Sequence, residues 1–106
     1  MVDARNVLRS KWPNIPEGEL VERAQRWAAD RGHRAVIVFD GRAPAGAVGT
    51  AHESADDWLI REAARLAEAG EPFWLVTSDR ELRDRAGRKA ERVIGGGTFA
   101  RELTGS

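Results

Sequence analysis

Ala35-Val36-Ile37-Val38-Phe39-Asp40-Gly41 is the stretch that decides the fold. Five apolar residues in a row, with Val36, Ile37 and Val38 β-branched, end abruptly on an aspartate and a glycine. A strand with one wet face alternates apolar and polar residues. An unbroken apolar run of this length reads instead as a strand covered on both faces, the condition of a parallel sheet between two helical layers. Phe73-Trp74-Leu75-Val76-Thr77 has the same character, and Ser78-Asp79 follows it as Asp40-Gly41 follows the first.

Working outward from these runs, helix patterns flank each strand. Pro16 suits a first helical turn, and Glu17–Arg31 follows with Leu20, Ala24, Trp27 and Ala28 as its apolar stripe, stopped by Gly32. The glycine- and alanine-rich segment Gly41–Glu53 contains one short strand near Ala47–Thr50. Ser54 reads as an N-cap, with Asp57 three residues on in a capping-box-like position. The helix it opens runs to about Ala69, with Ile60, Ala63, Ala64 and Ala67 expected to face inward and Gly70 to end it. Asp79–Lys89 is a helix with Leu82 and Ala86 inward, and Arg92–Ile94 a last strand. Gly95-Gly96-Gly97 reads as a flexible turn, and Phe99 with Leu103 as the inner face of a closing helix. Met1–Asp3 supplies only the tail of a first strand. Strands alternating with helices of this length make βαβ units, and right-handed crossovers place helices on both faces of a parallel sheet.

A chain of 106 residues has room for one core, so residues 1–106 are read as a single domain. Its longest apolar runs are too short to span a bilayer. No basic segment followed by an apolar stretch opens the chain, so a secretory signal is not expected. Cysteine is absent, which excludes disulfides and thiolate metal sites and is compatible with the cytoplasm. The 17 basic and 17 acidic residues cancel, which argues against a broadly basic surface for nucleic acid. The sum hides an uneven distribution, because six cations crowd Arg80–Arg92 against four acids in Asp79–Glu91.

The acids matter more. Asp3, Asp40, Asp56 (with Asp57 beside it) and Asp79 each stand where a strand ends or a helix begins. Taken singly they have plain explanations: Asp56 and Asp57 as favourable charges in a helix's first turn, Asp79 as an N-cap, Asp40-Gly41 as a turn. Taken together they share one edge, because the strands of a parallel sheet bring their carboxyl ends to the same side, where ligands bind. Carboxylates gathered there repel one another unless a cation sits among them, which points to a Mg²⁺ or Mn²⁺ site.

Val2-Asp3-Ala4-Arg5-Asn6-Val7, Val38-Phe39-Asp40-Gly41, Ser54-Ala55-Asp56-Asp57-Trp58-Leu59-Ile60 and Val76-Thr77-Ser78-Asp79-Arg80-Glu81-Leu82 occur in that order, followed by Val93-Ile94-Gly95 and Phe99. This ordered set resembles the YacP-like NYN family of PIN-like ribonucleases over nearly the whole chain. The resemblance implies a three-layer α/β/α sandwich with a central, mostly parallel sheet of about four or five strands. It implies an acidic pocket that binds a divalent cation and cleaves RNA, with Asp3, Asp40, Asp56 and Asp79 at the family's acidic positions and Asn6 at its asparagine. On this reading Asp3 and Asp79 are direct ligands and Asp56 completes the set from its helix. Asp40 ligates or supports a ligand. Asp56 is preferred to Asp57 because it lies four residues before Ile60 on the expected inward stripe. Asn6 is expected to orient a ligand or a water, and Ser78 to touch phosphate. Arg5 and Arg80, adjoining the acidic edge, are the cations best placed for the RNA backbone. Two features depart from the family pattern: the first strand is nearly absent, and the loop Gly41–Glu53 is compact, leaving less surface for RNA.

The remaining residues have bland readings. His52, near the start of a helix, and His33, after a helix-stopping glycine, are expected at the surface. Glu81 with Arg85 and Asp84 with Arg88 are i,i+4 pairs of a solvated helix. Trp27 and Trp74 read as core, whereas Trp12 and Trp58 are free to stack on bases. Gly95-Gly96-Gly97 lacks the Lys-Ser/Thr of a phosphate-binding loop and the spacing of a dinucleotide fingerprint. Two other functions compete with a nuclease: a non-catalytic RNA- or ribosome-binding module, and a phosphoacceptor receiver domain. The latter wants a lysine after the fifth strand, and none follows Val93-Ile94.

Overall fold

The computed structural model describes residues 1–10 and 15–105. Its elements run β1 (Val2–Asp3), α1 (Ala4–Arg9), α2 (Glu17–Asp30), β2 (Ile37–Asp40), β3 (Val48–Thr50), α3 (Ala55–Glu68), β4 (Trp74–Val76), α4 (Arg80–Ala86), β5 (Arg92–Ile94) and α5 (Gly96–Thr104). The strands form one sheet in the order β3-β2-β1-β4-β5. Every pairing is parallel, with Val2 opposite Ile37 and Val76, Val38 opposite Val48, and Leu75 opposite Val93.

The unbroken apolar runs are explained by two cores, one on each face. Ile37, Phe39, Val76 and Ile94 point to a layer built from Val7 of α1, Leu20 and Ala24 of α2 and Phe99 and Leu103 of α5. Val38 and Leu75 point the other way, to Ala55, Leu59 and Ala63 of α3 and Leu82 and Ala86 of α4. Successive residues of a strand face opposite sides, so a strand between two layers must be apolar throughout. The result is the expected α/β/α sandwich. Among the described residues no helix is long and apolar enough to cross a membrane.

Four local expectations need correction. The inward line of α3 is Ala55, Leu59 and Ala63, whereas Ile60 and Ala67 are half-buried and Ala64 is exposed. Leu59, the bulkiest apolar side chain of the i,i+4 line, sets the helix phase, and the alanines further round cannot compete with it for burial. Helix α1 was not anticipated: it follows a two-residue strand directly, and Asp3 at its N-cap makes no side-chain capping bond. Gly95-Gly96-Gly97 is not a free turn but the N-cap and first turn of α5. Glycine is required there by proximity, since a Cβ on Gly96 would lie 2.1 Å from Asn6 Oδ1. Finally, α4 ends at Ala86 rather than Lys89, with Gly87 as its C-cap.

Trp27 and Trp74 are half-buried and packed edge-to-face, ring centroids 6.1 Å apart, and Trp27 also meets Phe99 at 5.1 Å. Trp58 is half-buried against the α3 core. Trp12 lies outside the described residues.

Candidate functional site

The strand order reverses direction between β1 and β4: the chain winds outward through β2 and β3 on one side, then through β4 and β5 on the other. At such a switch point the loops leaving the two central strands part, and the crevice between them is where open α/β sheets bind ligands. Asp3 ends β1, and Thr77-Ser78-Asp79 leaves β4, so these residues stand at that switch point. Asp40 ends β2 at the same edge, and Asp56 stands in the first turn of α3. A receiver domain places its strands in the order 2-1-3-4-5, so the sheet order removes that reading.

The acids differ in their surroundings. Asp3 is 6% exposed. Its Oδ2 accepts a hydrogen bond from Thr77 Oγ1 at 3.1 Å. Burial raises the Asp3 pKa above its ordinary value and the Thr77 bond opposes this, while the nearby charges of Asp56 and Asp79 raise it further. Asp56 makes no hydrogen bond or ion pair among the described residues. Its pKa is raised as well, by burial first and then by the charges of Asp79, Asp40, Asp57 and Glu81. The charges of Asp56 and Asp79 thus act on Asp3 and that of Asp79 acts on Asp56, although Asp56 and Asp79 are themselves exposed.

Asp40 and Asp79 also hold helices in place. Asp79 Oδ1 accepts from Leu82 N at 2.9 Å and so caps α4. Asp40 Oδ1 accepts from Ala55 N at 2.8 Å, which ties the start of α3 to the end of β2 and so fixes where Asp56 stands. The second oxygen of Asp40 faces Arg5 Nη1 at 3.7 Å, an exposed and therefore weak pair.

Of the neutral residues, Asn6 and Ser78 are joined to each other. Asn6 Oδ1 accepts from Ser78 N at 2.8 Å, and Ser78 Oγ accepts from Gly96 N at 2.7 Å. The pair laces α1, the β4 exit and the start of α5 together. The expected role of Asn6 changes accordingly: its side-chain oxygen is committed to the backbone, and only its NH₂ group remains as a donor. Arg80 is exposed at the start of α4, and Ser54 Oγ caps α3 by accepting from the backbone N–H of Asp57 at 3.1 Å, while among the described residues the Asp57 carboxylate makes no return bond to Ser54 N. His52 is exposed, and His33 lies by Trp74, their ring centroids 4.8 Å apart.

Two contributors escaped the sequence reading. Thr77, completely buried, donates to Asp3 and accepts from Asp79 N at 3.1 Å, so one hydroxyl bridges two of the acids. Glu81, in the first turn of α4, adds a further negative charge toward Asp56. The pattern Thr-x-Asp at a strand exit was the available signal for Thr77, since a threonine there can bond to the backbone two residues on.

Among the described residues, no three histidine, cysteine or acidic side chains lie close enough together to enclose an ion by themselves. The donors present are carboxylate, hydroxyl and amide oxygens. That set suits Mg²⁺ or Mn²⁺, which take oxygen ligands. Mg²⁺ in particular keeps several waters and uses only one or two protein carboxylates. The residues thus fit a hydrated ion rather than a closed protein cage. Comparison with protein-family models, with curated proteins and with solved structures returns no match.

Proposed function

We propose that the crevice between β1 and β4 is the centre of a divalent-metal-dependent endoribonuclease. The observation that carries this reading is the repulsion among Asp3, Asp56 and Asp79 at the switch point: two of these acids have raised pKa values partly because the others are near. A fold that holds carboxylates against their own repulsion is one suited to a cation.

A bound Mg²⁺ or Mn²⁺ would supply Lewis-acid stabilisation of the phosphate and an activated water, so no histidine base is required. Asp3, Asp79 and Asp56 would hold it, with one or two bonding directly and the rest through water. Thr77 orients Asp3 and the Asp79 backbone, and Asp40 sets Asp56 by fixing the start of α3. Arg5, paired with Asp40, and Arg80, exposed at the start of α4, would contribute phosphate contacts. Ser78 Oγ and the NH₂ group of Asn6, which has no partner among the described residues, would be donors for a phosphate or sugar oxygen.

The test is cleavage of an RNA substrate with Mn²⁺ or Mg²⁺, abolished by EDTA and by Asp79→Asn. Asparagine caps a helix as well as aspartate does, so that variant removes the charge while α4 keeps its cap. Equal cleavage by wild type and Asp79→Asn would sink the proposal. The structural bonds already made by Asp40 and Asp79 favour a second reading, a non-catalytic RNA- or ribosome-binding module. Such a module would bind RNA undiminished in Asp79→Asn and cleave it in no metal.

A further inference from the structure

Between Arg80 and Arg92 six cations stand against only three acids, Glu81, Asp84 and Glu91. Two of those acids are engaged: Glu81 pairs with Arg85 at 3.6 Å, and Glu91 Oε1 accepts from Trp74 Nε1 at 3.0 Å. The third does not form the expected i,i+4 pair with Arg88 among the described residues, because α4 ends at Ala86 and Arg88 lies beyond the helix. Arg80, Arg83, Arg88 and Lys89 are exposed and make no ion pair among the described residues.

The fold sets these four cations along one line. Helix α4 is the crossover from β4 to the parallel β5, so it starts at the acidic edge and leads back toward the opposite one. Its seven residues span about 10 Å. Leu82 and Ala86 point into the core, and at about 3.6 residues per turn this phase gives the helix two unlike flanks. Glu81 and Arg85 share the flank toward α3, where the charge of Glu81 acts on Asp56. Arg80, Arg83 and Gly87 share the other. That flank turns to β5, since a Cβ on Gly87 would lie 3.1 Å from Val93 Cγ2. β5 is the last strand of the sheet, so the flank runs along the rim of the sandwich. Arg88 and Lys89 continue it through the turn that Ala90 N closes on Gly87 O at 3.1 Å.

We propose that this rim is the track of a single polynucleotide strand, whose phosphates meet Lys89, Arg88 and Arg83 before Arg80 and the acidic edge. Cations without a protein partner give up no ion pair when a phosphate arrives, so their whole charge is available to the strand. The track suits one strand rather than a duplex. A second backbone laid across α4 would meet Asp84 and Glu81, and like charges brought together there oppose binding. Contacts of this kind read the backbone and not the bases, so the track is indifferent to sequence. The inference deepens the nuclease reading by naming the form of nucleic acid that reaches the site, and rests on it for the direction of the strand.

The experiment measures binding of a labelled oligouridylate of about twelve nucleotides across a KCl series. EDTA is present, so no metal bridges the acids and binding is read apart from cleavage. Arg83→Gln/Lys89→Gln is compared with wild type and with Arg26→Gln/Arg34→Gln, which removes equal charge from exposed positions elsewhere. The rim double should bind at least about tenfold more weakly at 0.1 M salt, with a salt slope smaller by about 1.4. The control double should bind as wild type does, and both should melt with it. Oligodeoxythymidylate should lose affinity by the same factor, and a duplex RNA of equal length should bind more weakly than the single strand. Equal losses in the two doubles would overturn the proposal, as would wild-type binding that does not depend on salt. A duplex bound as tightly as the single strand would overturn it too, and a loss confined to RNA would place the contacts on ribose instead. The nuclease reading fails separately, by equal cleavage in wild type and Asp79→Asn.

Discussion

Thr77 is the residue on which the acidic site turns. Its hydroxyl is completely buried, donates to Asp3 and accepts from Asp79 N. Thr77→Val keeps the shape but leaves a buried carboxylate and a backbone N–H each short of a partner, at a cost of about 1–3 kcal/mol. Urea unfolding should show that loss, and Thr77→Ser should recover most of it. A Val variant as stable as wild type would mean the bridge is inert. The neighbouring acids make an opposite prediction. Burial and like charges raise the pKa of Asp3 and of Asp56 above 3.8. A raised carboxylate is charged in the unfolded chain before it is charged in the folded one, so its penalty is absent below 3.8 and complete above the raised folded value. Asp56→Asn breaks no hydrogen bond and should therefore raise the melting temperature at pH 7, with the gain fading toward pH 4. A variant that melts lower than wild type at pH 7 would contradict that repulsion. The acids were legible in the sequence because each interrupts an apolar run or opens a helix. Thr77 was not, because a hydroxyl inside an apolar strand leaves no periodic trace and its partner Asp3 lies far away in sequence.

At the scale of elements, the strands and the long helices were readable wherever one physical requirement dominated. Ala35–Phe39 and Phe73–Thr77 are apolar throughout because both faces are covered, and β2 and β4 lie within or against those runs, with β2 reaching Asp40. The phase of α3 was misread because several alanines mimic an inward stripe, and only the sheet shows that Leu59 leads it. The start of α5 was misread for a different reason. Three glycines suggest freedom, but Gly96 is glycine because Asn6, ninety residues earlier, occupies the space its side chain would need. Such a close approach of distant elements cannot be seen from local composition. Gly96→Ala should push Asn6 off Ser78 N and cost about 1–3 kcal/mol. The cost should shrink in an Asn6→Ala background, where the obstructing side chain is gone, and urea unfolding of the four forms would measure that coupling. Strict additivity would show that the two residues do not press on each other.

For the whole molecule, the sandwich can be viewed as a balance between two layers that hold the sheet and one edge that resists being held. The cores on both faces fix the strand ends, and the strand ends carry acids whose charges oppose one another. A cation that binds only the folded arrangement shifts that balance by mass action, by about 2.7 kcal/mol when its concentration is a hundred times its dissociation constant. Mg²⁺ or Mn²⁺ should therefore raise the melting temperature of the wild-type chain, and Ca²⁺, which prefers six to eight oxygens, should do so less. General screening by salt would also relieve repulsion, so the comparison is made at matched ionic strength with NaCl. The two effects separate in Asp56→Asn: this variant should melt above wild type without metal and gain less when metal is added, so the two melting curves converge or cross as Mn²⁺ rises. Screening alone would give the same shift for NaCl and MnCl₂, and a purely structural role for Asp56 would lower the variant at every concentration. Convergence with Mn²⁺ but not with NaCl is the outcome that ties the acids, through the fold that collects them, to a cation.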